Sequence, residues 1–314
     1  MDSLTHALTA AFLAYTLHLP QVLPFFVLGA VIIDGDVLFS RLSDRHPSLY
    51  LFTHGGCAHS IAGALVLSVV AWTTGAFVLA AGLVHPVRLV PAGGPVAFAA
   101  VLAGALLHIG LDTLAVPGLP LFVPFSDRKY TAGLLPGPSI LLMASSLFFL
   151  IWIGLGMIDL ASMVLPYATI IAAFLAIRLV AFFIARTALR GKGRPVPMIN
   201  PLRWLVISEI PDVWTVGEYR IGKGMGNTEY MMKYRSTSAK ETGPFLALPE
   251  VRRLLFHSYI VTAEKKGTML IFSDPLRISG RIFYPPHHMC VCVPLPDPSS
   301  LSGHSSNSLK SNPE

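Results

Sequence analysis

Apolar residues fill the first 187 positions of this chain in blocks too long and too uninterrupted for a water-soluble fold. The blocks cover about residues 4–19, 21–36, 58–84, 95–116, 138–159 and 162–187. A helix needs about 20 apolar residues to cross the ~30 Å hydrocarbon layer of a bilayer, and the last four blocks reach that length. Lipid offers the backbone no hydrogen bonds, so such segments span as helices. The first two blocks are short and meet at a turn marked by Pro20 and Pro24, which reads as a tight helical hairpin. The expectation is a mainly α protein: a polytopic transmembrane helical bundle of about six spans, with a small C-terminal β-rich domain.

Charge divides the chain in the same place. Only 13% of its residues are charged, against about 25% in soluble domains. Residues 1–187 carry seven Lys/Arg and seven Asp/Glu; the remainder carries sixteen and ten, which gives the whole +6. This predicts a transmembrane domain over 1–190, a cytoplasmic β-rich domain over 191–293 and a disordered Ser/Pro/Asn-rich tail over 294–314. "RWLVISEI" reads as a strand, "PEVRRLLFHSY" as a short helix and "EKKG" as a hairpin turn. The N-terminus lacks the basic region of a signal peptide and is read as a retained helix. Three cysteines, Cys57, Cys290 and Cys292, form no disulfide framework and suit a reducing compartment. No internal repeat is visible.

Basic residues orient the spans. The cluster "RTALRGKGR" follows the last apolar block and is expected to stay in the cytoplasm. Counting back through six spans puts both termini inside, in the cell membrane. It also puts the loops with Arg41, Arg45, Arg128 and Lys129 inside, and the 85–94 loop with Arg88 outside.

Polar residues then fall into a pattern. His6, Asp34, Asp36, His54, His59, His108 and Asp112 all lie towards the cytoplasmic side of a topology derived from Lys and Arg alone. His108 and Asp112 are four apart, so they share a helical face. An ionisable group in an apolar span is costly and usually has a partner or an ion. Imidazole nitrogen with carboxylate oxygen suits zinc, or manganese or iron, better than magnesium or calcium. Seven donors suffice for one or two divalent ions. A two-metal site suits phosphoester hydrolysis. Gly55, Gly56 and Ala58 leave room for the loop to come close to such a centre. The plainer readings are a hydrogen-bonded His108–Asp112 pair and helix capping by Asp34 or Asp36. His18, His46 and His85 read as solvated, and Cys57 as a packing residue. Cys290 and Cys292 read as alternate residues of a strand rather than zinc ligands.

The motifs "MDSLTHAL", "DGD", "HGGCAHS", "HIGLD" and "PFSDRKY" together resemble the membrane-bound metal-dependent hydrolase family that includes YdjM. The resemblance covers about residues 1–190 and falls on Asp2, His6, Asp34, Asp36, His54, His59, Ser60, His108 and Asp112. It implies a metal set of His6, Asp34, Asp36, His54, His59, His108 and Asp112, with Asp36 and His6 as catalytic candidates. Ser126 and Arg128 would contact an anionic substrate. The family is distantly similar to zinc-dependent phospholipase C and single-strand nucleases, which implies phosphoester chemistry on a lipid-linked or other phosphoester substrate. Membrane lipids are the expected partners and nucleic acid is not. Gly55 and Ala58 stand where the family has Arg and Thr. Two rivals remain: a divalent-metal or proton transporter, which requires a midplane site, and a non-catalytic scaffold with a structural metal.

Overall fold

The computed structural model describes residues 1–80, 91, 94–282 and 289–295. The expectations for Arg88, His85 and the tail beyond 295 lie outside these residues. The chain divides into two compact units, Met1–Glu209 with Thr215–Glu229, and Ile210–Trp214 with Tyr230–Glu314.

The first unit begins with helix α1, Ser3–Thr16. Asp2 caps it by accepting from the Thr5 amide at 3.0 Å and the Thr5 hydroxyl at 2.7 Å. This is the usual service of a short polar side chain to orphan N–H groups. After the turn with Pro20, α2 (Leu23–Ile32) runs into a 3₁₀ segment, Ile33–Phe39, and then α3, Ser40–Arg45. Two further 3₁₀ segments, Pro47–Phe52 and Cys57–His59, lead to α4, Ile61–Ala80. Ser60 caps that helix by accepting from the Gly63 amide at 2.9 Å. Helices α5 (Pro95–Asp112), α6 (Ile140–Gly154) and α7 (Leu160–Leu189) follow.

Close approach of α2 and α5 sets the frame. A Cβ on Gly29 would fall 1.9 Å from the Val101 carbonyl oxygen, and one on Gly104 would fall 2.0 Å from that of Phe26. Small residues let helix backbones touch in this way, which is how helices associate where no hydrophobic force drives them together. Helix α1 is held against α6 and α7 by Leu8, Phe12, Phe149, Met163 and Tyr167. A polar network runs through the same contact: Thr5 to Ser146 at 3.0 Å, and Ser146 to Tyr167 at 3.1 Å.

Among the described residues, three helical stretches are long and apolar enough to cross a membrane: Pro20–Arg45, Pro95–Asp112 and Leu160–Leu189. Two shorter apolar helices, Ile61–Phe77 and Ile140–Gly154, accompany them. By length and composition, three of the six expected spans are found at full length. Helix α1 stops after 14 residues, about 21 Å at 1.5 Å per residue, because the chain turns at His18 with φ +55° and at Pro20.

Beyond Leu189 the chain forms β1 (Arg194–Pro197), β2 (Arg203–Ile210), β3 (Val213–Arg220) and β4 (Gly224–Met232) in one sheet of that order. β2 is the segment expected as a strand. Trp204, Val206 and Tyr219 of this sheet bury themselves on Ala181, Ala185 and Leu189 of α7.

The second sheet, in the second unit, is ordered β5 (Tyr234–Arg235), β6 (Thr262–Lys266), β7 (Met269–Ser273) and β8 (Cys290–Pro294). Helices α8 (Ala239–Thr242), α9 (Pro249–His257) and α10 (Pro275–Ile278) belong to the same unit. Val251 and Leu254 of α9 pack on Ala263, Leu270 and Phe272. β6 and β7 form the hairpin expected at "EKKG". Cys290 and Cys292 both lie exposed on β8, as strand alternation requires.

Candidate metal centre

The site is assembled from the C-terminal ends of α2 and α5, the start of α1 and the loop before α4. Asp34 and Asp36 lie in the 3₁₀ segment that continues α2, which carries two carboxylates on one short turn. His59 ends the 3₁₀ segment Cys57–His59. Small residues are required there. A Cβ on Gly56 would fall 2.0 Å from the Leu51 carbonyl oxygen, and one on Gly63 would fall 2.1 Å from that of Cys57. Gly55 sits at φ +74°, where glycine has no Cβ penalty, and its amide donates to Asp36 at 3.2 Å. The Cys57 thiol is raised above its ordinary pKa by burial and by the Asp36 carboxylate, in keeping with a packing residue.

His59, His108, Asp34 and Asp112 converge. The Nε2 atoms of His59 and His108 are 3.3 Å apart. Asp34 Oδ1 lies 3.5 Å from the first and 3.4 Å from the second. Asp112 Oδ2 lies 3.6 Å and 3.4 Å from the same two atoms. His6, His59 and His108 are fully buried, and Asp112 nearly so.

Proton bookkeeping shows what this cluster lacks. His108 Nδ1 is 2.6 Å from the Ala30 carbonyl oxygen, which can only accept, so Nδ1 carries the proton and donates it. His59 Nδ1 lies 2.9 Å from Asp36 Oδ2; the pair is not aligned as a hydrogen bond, but the negative charge at that distance favours the proton on Nδ1. Both Nε2 atoms of the neutral rings then present lone pairs to each other and to two carboxylate oxygens. Four acceptors facing one point repel unless a cation stands between them. For donors about 2.0–2.2 Å from a central ion, the edges of a tetrahedron are about 3.3–3.6 Å; five of the six edges fall in that range, and the sixth, between the two carboxylates, is within 4.8 Å. The donor set therefore fits a divalent metal ion, and the buried cluster can hold one.

The other predicted residues surround this group. Asp36 also meets His54 Nδ1 at 2.8 Å, so one carboxylate holds two imidazoles, and Asp36, His54 and His59 form a second group of metal-ligand type. His54 is the most open of the histidines here, with its side chain 29% exposed. His6 stacks on His108 with ring centroids 3.7 Å apart. Its Nε2 reaches Asp112 Oδ1 at 3.1 Å, on the side of that carboxylate away from His59 and His108. Ser126 and Arg128 lie on the loop after α5. Ser126 accepts from the Arg128 amide, and Arg128 lies over the Tyr130 ring. Among the described contacts neither touches the cluster. His18 and His46 are exposed.

Three partners escaped sequence reasoning. The Ser3 hydroxyl donates to Asp34, the Met1 amino group contacts Asp112, and the Ala30 carbonyl orients His108. The first two adjoin the capping residue Asp2, which is their one sequence signal. A backbone carbonyl leaves none.

Apolar helices around a buried His/Asp cluster define a helical membrane protein with a candidate metal centre. The YdjM inner membrane protein family model matches residues 1–189, well over half of the chain, and the protein belongs to that family. No curated protein and no solved structure matches it.

Proposed function

We propose that the protein is an integral membrane metal-dependent hydrolase acting on a phosphoester or lipid-linked substrate at the cytoplasmic face. The observation that carries this reading is the convergence of four lone-pair donors, with both imidazole nitrogens 3.3–3.6 Å from each other and from the two carboxylate oxygens and all four atoms within 4.8 Å of one another. In this reading His59, His108, Asp34 and Asp112 hold a zinc ion, or manganese or iron. When bound, such an ion supplies Lewis acidity that polarises a phosphoryl oxygen and activates water. Asp36 holds His59 in the tautomer that leaves Nε2 free, and the Ala30 carbonyl does the same for His108; partners of this kind fix ring orientation and ligand basicity. His6 steadies Asp112 from behind. The partly exposed His54, tied to Asp36, stands where substrate enters and supplies the second group of donors for a second ion. Ser126 and Arg128 contact the anionic substrate. Their loop is tied close by, since the Leu121 carbonyl accepts from the Ile61 amide and Tyr50 donates to Asp127. The finer topology belongs to the same proposal: six spans, with α1, α4 and α6 crossing as shorter elements, and both termini cytoplasmic.

One observation favours a second reading. Four protein donors fill a tetrahedral shell, as in closed structural sites, which fits a non-catalytic scaffold. Turnover decides between them. The protein purified in detergent should hydrolyse a chromogenic phosphodiester or a phospholipid, lose that activity to a chelator and regain it with zinc. Metal bound at full occupancy with no turnover of either substrate would leave the scaffold.

A further inference from the structure

Helix α7 is 30 residues long, about 45 Å, and its two faces tell where the bilayer ends. The buried face is one stripe. Met163 and Tyr167 meet α1 and α6, while Ala181, Ala185 and Leu189 meet the first sheet. The opposite face keeps exposed apolar residues from Leu165 through Ile177, Val180 and Phe183 to Ile184. Those 20 residues rise about 28 Å from first to last, the depth of a ~30 Å hydrocarbon layer. Arg186 follows, and Arg190 and Lys192 come after it. Arg178 thus lies eight residues, or about 12 Å, inside the basic boundary. It is buried, and it donates to the carbonyls of Met198 at 2.8 Å and Ile199 at 2.6 Å. The turn between β1 and β2 therefore reaches back down α7 to a level at which the other side of the helix still faces lipid.

The turn is built for that depth. Every main-chain carbonyl from 198 to 202 accepts a hydrogen bond within the protein. Arg178 serves the first two, the Arg203 amide that of Asn200, Trp204 Nε1 that of Pro201, and the Ile221 amide that of Leu202. The Leu202 amide donates to the Asn200 side chain at 2.9 Å. Two large apolar side chains are left outside, Ile199 at 55% and Leu202 at 53% exposure, with the polar Asn200 exposed between them. Satisfied carbonyls beneath exposed apolar side chains are what non-helical backbone needs in order to enter a bilayer. Arg203, Arg220 and Lys223 lie at the same end of the sheet, since Ile221 pairs with Leu202 and Lys223 turns back on Arg220. Their charges suit anionic head groups.

We propose that this turn, residues 198–202, is seated in the leaflet at which α7 ends, with Ile199 and Leu202 among the acyl chains. The first sheet is then an interfacial element clamped to the membrane, not a domain standing free in water. Spin labels at Ile199→Cys and Leu202→Cys test this in the full chain with its three native cysteines replaced by alanine. The chain is reconstituted into vesicles of phosphatidylcholine and phosphatidylglycerol. The ratio of collisions with oxygen, which dissolves in lipid, to collisions with a water-soluble nickel chelate should be several-fold higher at both positions than at Lys192→Cys. A ratio at either position equal to that of Lys192→Cys overturns the proposal. The unsubstituted chain provides a second measurement. In vesicles containing a lipid with a diazirine in its acyl chain, illumination should label residues within 199–202 as well as the exposed face of α7. Labelling of α7 alone overturns the proposal equally.

Discussion

Asp112→Asn is the sharpest perturbation of the metal centre, because it changes charge and hardly changes shape. Each carboxylate oxygen has its own task. Oδ2 faces His108 and His59 at 3.4 Å and 3.6 Å, while Oδ1 faces His6 at 3.1 Å and the Met1 amino group. An amide can keep only one of these. With NH₂ turned inward the ion loses a ligand. With NH₂ turned outward it meets the Met1 amine, another donor. In both cases the ion loses a negative partner. Loss of a mere supporting residue costs about 10–100-fold in metal affinity, or about 1.4–2.8 kcal/mol, and loss of a direct ligand should cost at least that. The assay is metal stoichiometry and chelator competition on protein purified in detergent, with exposed His46→Ala as the control. We expect Asp112→Asn to insert and purify normally, with affinity at least tenfold lower, and His46→Ala to match the parent. Unchanged affinity in Asp112→Asn would refute the reasoning, since Asp112 would then be no ligand.

Three other outcomes are expected. Gly104→Val should destabilise the α2–α5 contact by about 1–3 kcal/mol and lower metal content, because it drives the Ala30 carbonyl away from His108; Gly110→Ala, with open space around its Cβ, should do neither in a thermal-shift and metal assay. Stripping metal with a chelator should lower the melting temperature, because two carboxylates and two imidazole lone pairs are then left facing one another. Restoring the ion to 100 times its dissociation constant should return about 2.7 kcal/mol. A reporter fused after Glu314 should be active in the cytoplasm, and activity only outside would overturn both the orientation and the six-span count.

Much of this was legible in the residues, for identifiable reasons. "HIGLD" places His108 and Asp112 on one face through helical period alone, and the structure brings both to the cluster. Strand β2 and the β6–β7 hairpin follow from local alternation and turn chemistry. The seven predicted His and Asp residues meet although as many as 106 positions part them, as with His6 and Asp112. The division of labour among them was not legible. Asp36 falls in a second group with His54 and His59, while His6 stacks on His108 and reaches Asp112. Which oxygen faces inward depends on backbone positions such as Ala30 and on the glycine contact that sets them. The shortness of the first block was legible too, since the turn at His18 and Pro20 ends α1 after 14 residues. The role of Arg178 was not legible, because its partners are carbonyls that no side chain advertises.

X-ray absorption at the metal edge tests the central claim most directly. Protein purified without chelators should contain a divalent ion with four nitrogen or oxygen neighbours at about 2.0–2.2 Å, outer scattering from two imidazoles and no sulfur. No bound metal in protein that is folded and inserted would contradict the account, as would a first shell containing sulfur at about 2.3 Å, which only Cys57, Cys290 or Cys292 could supply as thiolate.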